Sequence, residues 1–130
     1  MARRLIIDTG VFVGVERGLT TEIRDDDIAI AAVTLAELRA GVHLATDARR
    51  QARADYVDRI AANVPVISYD AAVTDAHAEL LAHTRRSGRP RGAHDLMIAA
   101  TAVATGRILL TGDRAARFDE LPGLQVLLLE

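Results

Sequence analysis

Four acidic residues stand where an open α/β sheet does its chemistry. Asp8 directly follows the apolar run LII, and Glu37 lies one helical turn beyond IAIAAV. Asp95 heads the run LMIAATA, and Asp113 comes just after ILLTG. In such sheets ligands bind in the crevice beyond the carboxyl ends of the strands, so adjacent strand ends would bring these side chains to one edge. Carboxylates gathered within a few ångströms repel one another. Either their pKa values rise and some stay neutral, or a cation holds them together. Oxygen-only ligands favour a hard ion, Mg2+ or Mn2+, which keeps several waters and takes substrate phosphates as co-ligands.

Each acid also has a structural role open to it. Asp8, Asp95 and Asp113 sit where an N-cap or first-turn acid stabilises a helix by about 0.5–2 kcal/mol. Glu37 closes TLAE, a capping box with Thr34 as the cap. Asp70, in SYDAAV, has the same local context and is expected to be a cap only, while the acidic run 25–27 reads as a polar turn. His94 adjoins Asp95, but adjacent helical residues point in different directions, which favours a surface or capping place for it. His43, His77 and His83 lack metal-ligand spacing and read as helix-surface residues.

The elements that must position these groups alternate between short apolar runs and longer amphipathic ones, the pattern of an α/β domain. Strands are expected at 5–7, 28–33, 64–68, 108–110 and 126–129. Helices are expected at 11–17, 34–45, 48–62, 71–86 and 93–105, with a helical turn near 114–120 and Gly106 ending the last helix. The near-continuous apolar character of the early strands indicates a parallel sheet covered on both faces.

A chain of 130 residues, 50% hydrophobic and 26% charged, has the size and composition of one soluble globular domain, 1–130. It has no cysteine, which excludes disulfides, thiolate metal sites and cysteine nucleophiles. All 16 basic residues are arginine. Schiff-base chemistry, P-loop phosphate binding and lysine-dependent receiver phosphorylation are therefore excluded as well. The opening MARRLIIDTGVFVGV is interrupted by Asp8 and lacks a small-residue cleavage site, unlike a signal peptide. No segment has the apolar length of a membrane span, so a cytoplasmic location is expected.

Taken together, IIDTGVFV, TLAELRAGV, AHDLMIAATA and LLTGDRAARF resemble the motif blocks of the PIN-domain ribonucleases, and among them the VapC toxins of bacterial type II toxin–antitoxin systems. All four blocks occur in family order over nearly the whole chain. The resemblance implies a three-layer α/β/α sandwich around a central parallel sheet, with an acidic pocket for Mg2+ or Mn2+. Asp8, Glu37 and Asp95 match the family's three acids, and Asp113 matches a position that is often Asn or Asp. Thr9 and Thr111 match the hydroxyl residues that support the pocket. Two positions depart from the pattern: Gly10 stands where Ser or Asn is frequent, and Ala116 where a second acid is frequent.

The reaction implied is metal-dependent hydrolysis of RNA, with Asp8 and Asp95 holding the ion most directly. The loop RRSGRPRG carries Arg85, Arg86, Arg89 and Arg91 just ahead of Asp95, where they would attract an RNA backbone or simply form a solvated loop. With only two tyrosines and two phenylalanines, stacking platforms are scarce, which favours recognition of RNA by shape and phosphates. The resemblance further implies a homodimer, a higher toxin–antitoxin assembly, and a cognate VapB-type antitoxin whose C-terminal tail occupies the active-site groove. The helices at 34–45 and 48–62 would supply that groove, or else pack into their own core. The alternative is a catalytically inert PIN-like scaffold that binds RNA or protein and uses these acids as caps. An aspartate-nucleophile phosphatase would need a second acid where Gly10 stands, and a lysine. A dinucleotide-binding module would need Gly-x-Gly-x-x-Gly, which DTGVFVG does not supply.

Overall fold

The computed structural model describes residues 2–16 and 25–129. Strands β1 (Arg4–Ile7), β2 (Asp27–Ala31), β3 (Val66–Ile67), β4 (Ile108–Thr111) and β5 (Val126–Leu128) form one sheet in the order β3-β2-β1-β4-β5. Every neighbouring pair is parallel. Parallel strands need crossover connections. These are supplied by α1 (Thr9–Glu16), then α2 (Ala32–Leu44) with α3 (Asp47–Asn63), then α4 (Ala71–Ser87) with α5 (Ala93–Thr105). The β4–β5 link carries a single 3-10 turn, Phe118–Glu120.

Side chains alternate across a strand, and this alternation builds the layers. Leu5 and Ile7 of β1, Ile30 of β2 and Leu110 of β4 face Val11, Leu38, Val57 and Ile60 on α1, α2 and α3. Ile6, Ala31 and Leu109 face the opposite way, onto Val73 and Leu80 of α4, Leu96 and Ile98 of α5, and Phe118. The expected α/β/α sandwich with a parallel sheet is therefore present, and both covered faces account for the near-continuous apolar runs within the strands. Helix α5 packs against both α4 and the sheet, which is why it is apolar nearly all round. Ala99, Ala100 and Ala102 are completely buried in it, and Gly106 ends it with a left-handed φ of 64°.

Several local expectations need correction. Strand β2 stops at Ala31 and α2 begins at once, with Ala31 as an N-cap that offers no side-chain bond. Thr34 is thus not a cap. It lies fully buried within the helix, and its hydroxyl has no hydrogen-bond partner. Val33 packs on the α4–α5 core, a tertiary contact that outweighs its preference for strand. Strand β3 shrinks to two residues, paired with Ile30 and Ala31.

The acidic run divides. Asp25 lies in a turn with φ 63°, Asp26 accepts from the Arg3 backbone N–H at 3.0 Å and Nη2 at 2.8 Å, and Asp27 opens β2. Asp70 is the N-cap of α4, accepting from the Val73 N–H at 3.1 Å. Position 17, the end of the first expected helix, lies outside the described residues. Among the described residues, no helix is long and apolar enough to cross a membrane.

Candidate active site

Strand β1 leads to β2 on one side of the sheet and β4 leads to β5 on the other, so the chain's direction of travel reverses between them. The crevice of an open α/β sheet forms at such a point. Asp8 sits there. Its N–H extends the pairing with β4 by donating to the Leu110 carbonyl at 2.9 Å. Its carboxylate accepts from the Thr9 N–H at 2.9 Å through Oδ1 and from the Thr111 hydroxyl at 2.7 Å through Oδ2. The residue is 7% exposed. Burial pushes the Asp8 pKa upward, the bonds from Thr111 and Thr9 oppose this, and the charges of Asp113 and Glu37 add to the rise.

Asp95 arrives from the other side of the crevice, as the third residue of α5. The N-cap is Gly92 and no side chain caps this helix, so of the two structural places open to it Asp95 takes that of a first-turn acid and not that of the cap. Burial raises its pKa, followed by the negative charges of Asp8, Asp113 and Glu37. Three other acids thus add to the rise at this one carboxylate. A Cβ on Gly92 would stand 3.1 Å from Asp95 Oδ2. The carboxylate folds back over residue 92, where only glycine leaves ordinary room.

Glu37 projects from α2. Its Oε1 accepts from the Thr9 hydroxyl at 2.8 Å, and its Oε2 lies 3.4 Å from His94 Nδ1. Thr9 and Thr111 therefore each orient one acid. Asp113 is exposed and the loosest member. Its N–H donates to the Thr111 hydroxyl oxygen at 3.0 Å, and its Oδ1 accepts from the Ala116 N–H at 3.1 Å, closing a turn of the kind the capping alternative anticipated.

Oxygen donors of one charge sign, partly buried at a sheet crevice, suit a hard divalent cation. They do not form a closed cage: among the described residues, no group of three or more His, Asp or Glu side chains is arranged to hold an ion unaided. A small hard cation asks for less. One or two carboxylates with waters and substrate phosphate satisfy it, and the chemistry of Asp8 and Asp95, both partly buried carboxylates, is of the kind such an ion takes.

The basic loop separates into parts. Arg85 and Arg86 are exposed in the last turn of α4. Arg89 pairs with Glu120 at 3.2 Å. The Arg91 side chain is only 10% exposed, and its Nη1 donates to the carbonyls of Ala116 at 2.6 Å and Arg117 at 2.8 Å. Arg91 is thus committed to the β4–β5 link. Sequence reasoning missed that role because the partners lie 25 and 26 residues away with no local signal. It also missed the contact of His94 with Glu37, for which adjacency to Asp95 was the available hint.

The PIN domain family model matches residues 5–124. Ribonuclease VapC4 of Mycobacterium tuberculosis is 34% identical over 130 residues, 96% of each chain. Among solved structures, VapBC2 from Rickettsia felis, bound to a DNA fragment from its promoter, superposes with a TM-score of 0.87 at 22% identity, covering 98% of this chain and 99% of the other. VapBC-5 of Mycobacterium tuberculosis, a member of the VapBC family of toxin-antitoxin systems, gives 0.78 at 28% identity, covering 97% and 98%. With the motif blocks, the sandwich and the acid crevice in agreement with these matches, the chain belongs to the PIN-domain family.

Proposed function

We propose that this protein is a ribonuclease that hydrolyses RNA phosphodiester bonds with Mg2+, for which Mn2+ can substitute. We further propose that it is the toxin of a type II toxin–antitoxin system, inhibiting growth and translation until a VapB-type antitoxin neutralises it. The observation that carries this reading is buried Asp8, fixed by Thr111 and Thr9 in the crevice and acted on by neighbouring acids. The similarity to Ribonuclease VapC4 supports it.

Asp8 and Asp95 would hold the ion, with Glu37 and Asp113 acting directly or through water. A divalent ion supplies a lowered water pKa and neutralises charge developing on the phosphate. The chain's own part is positional: Thr111 and Thr9 fix Asp8 and Glu37, and Gly92 leaves space for Asp95. Arg85, Arg86 and Arg89 attract the RNA backbone, and Arg91 serves it through the loop it anchors.

The unit is one nuclease domain over 1–130, acting as a homodimer within a larger toxin–antitoxin assembly. A cleft of about 100 Å³ runs from Thr9 and Glu37 to Arg53 and Tyr56, between α1, α2 and α3, and is the place for the antitoxin tail.

Purified protein should cleave RNA in Mg2+ or Mn2+ and stop on chelation. Asp8→Ala or Asp95→Ala should lose on the order of 100-fold or more while staying folded. Expression should arrest growth, relieved by a protein encoded next door. Stable Asp8 and Asp95 variants with full metal-dependent cleavage would refute the site, and a chain that neither cleaves RNA nor binds Mn2+ would be the inert scaffold.

A further inference from the structure

The cleft that runs from Thr9 and Glu37 to Arg53 and Tyr56 does not end there. It opens into a second one of about 290 Å³, which shares Glu16, Arg53 and Tyr56 with the first and is otherwise lined by Arg49, Ala52 and Arg59. Three guanidiniums thus face one carboxylate. That carboxylate is already taken: Glu16 Oε1 lies 3.1 Å from Arg53 Nη2, while Arg53 Nη1 donates to the Gly41 carbonyl at 3.4 Å. Arg49 and Arg59 are exposed and pair with no carboxylate among the described residues. The second cleft therefore carries an excess of positive charge.

Helical periodicity sets this face apart. Arg49, Arg53, Tyr56 and Arg59 follow one another at steps of three to six residues and fall, with Ala52, along one side of α3. The acids of the helix have partners of their own. Asp47 pairs with Arg50 at 3.0 Å, Asp58 pairs with Arg39, and Asp55 accepts from the Gln51 amide at 2.9 Å. The Tyr56 hydroxyl donates to the Phe12 carbonyl at 2.7 Å, which fixes the ring as the wall between the two clefts. The Arg59 guanidinium carbon stands 6.0 Å from the centre of that ring.

We infer that Arg49 and Arg59 bind carboxylate side chains of a polypeptide whose apolar side chain fills the adjoining cleft, and that this polypeptide is the antitoxin tail. This rests on the toxin reading. The walls of the first cleft decide between a polypeptide and an RNA strand. Val13, Leu38 and Val57 line it beside Glu16 and Glu37, so a strand running from the arginines to the crevice would press its phosphates against apolar side chains and carboxylates. A polypeptide meets both surfaces at once, with an apolar side chain in the narrow cleft and acidic ones beyond it. Guanidinium forks match carboxylates in geometry as well as charge. Complementarity of this kind speeds association and turns away partners of the wrong sign.

Binding of the protein encoded next door is measured by calorimetry across a salt series, alongside RNA cleavage and its inhibition by that protein. Arg49→Glu/Arg59→Glu should bind it at least about tenfold more weakly at low salt, with the gap narrowing as salt screens the charges. Its inhibition should weaken in parallel. The variant's kcat and KM for RNA and its melting temperature should match wild type, because both side chains are exposed and unpaired among the described residues. Arg49→Lys/Arg59→Lys keeps the charge and should lose about threefold or less.

If Arg49→Glu/Arg59→Glu binds the protein and is inhibited as tightly as wild type, the inference is overturned and the toxin reading stands. A raised KM for RNA with unchanged affinity for the protein would assign the cleft to RNA and overturn it as well. If the protein neither binds nor inhibits the wild type, the toxin reading fails and the inference with it.

Discussion

At the scale of single residues, two opposed influences meet in Asp8. Burial and neighbouring charge favour its protonated form, while donors from Thr111 and Thr9 favour the carboxylate. Thr111→Val removes one donor, so the Asp8 pKa should rise further. The acidic limb of the kcat/KM profile should then move to higher pH, with about 1–3 kcal/mol lost from stability because a buried acceptor is left unpaired. A limb that stays in place would show that Asp8 is not the titrating group. Asp95 extends the same logic to folding. Its pKa is raised in the folded state, so the native chain holds more protons than the unfolded one between the ordinary carboxylate pKa and that raised value. Its contribution to metal-free stability therefore declines as pH climbs through this window and is constant above it. Asp95→Asn removes the charge without disturbing a cap bond. Its melting temperature relative to wild type should increase across that window in EDTA, reaching a few degrees once solvent screening is allowed for. A difference independent of pH would contradict the charge crowding.

At the scale of elements, caps and strand-to-helix junctions decide where side chains point. Asp70→Ala should cost about 0.5–2 kcal/mol in urea denaturation and leave RNA cleavage untouched, because the side chain serves only the start of α4. Thr34→Val should be neutral or slightly stabilising, since it deletes a buried hydroxyl that makes no bond. What the sequence disclosed divides along the same line. Gly106 and Asp70 were legible because their signals are local, and the strands were legible because both sheet faces are covered. Asp8 and Asp95 stood out as acids abutting apolar runs. The start of α2 was not legible, because TLAE imitates a capping box while the packing of Val33 sets the boundary. The bond from Thr9 to Glu37 spans 28 residues, and no local pattern encodes it.

At the scale of the whole molecule, the strand order places one reversal between β1 and β4, and every candidate acid is delivered to it by a different segment. Asp8 leaves β1, Glu37 descends from α2, Asp95 enters on α5 and Asp113 follows β4. The sandwich supplies the rigid support, and Arg91 clamps the β4–β5 link that carries Asp113. Everything proposed for function depends on that crevice binding a divalent ion. Calorimetric titration of Mn2+ into wild type and into Asp8→Asn/Asp95→Asn tests this most directly. Saturable binding by the wild type that vanishes in the folded double variant is the expected result. No saturable binding, or binding that survives the double substitution, would contradict it.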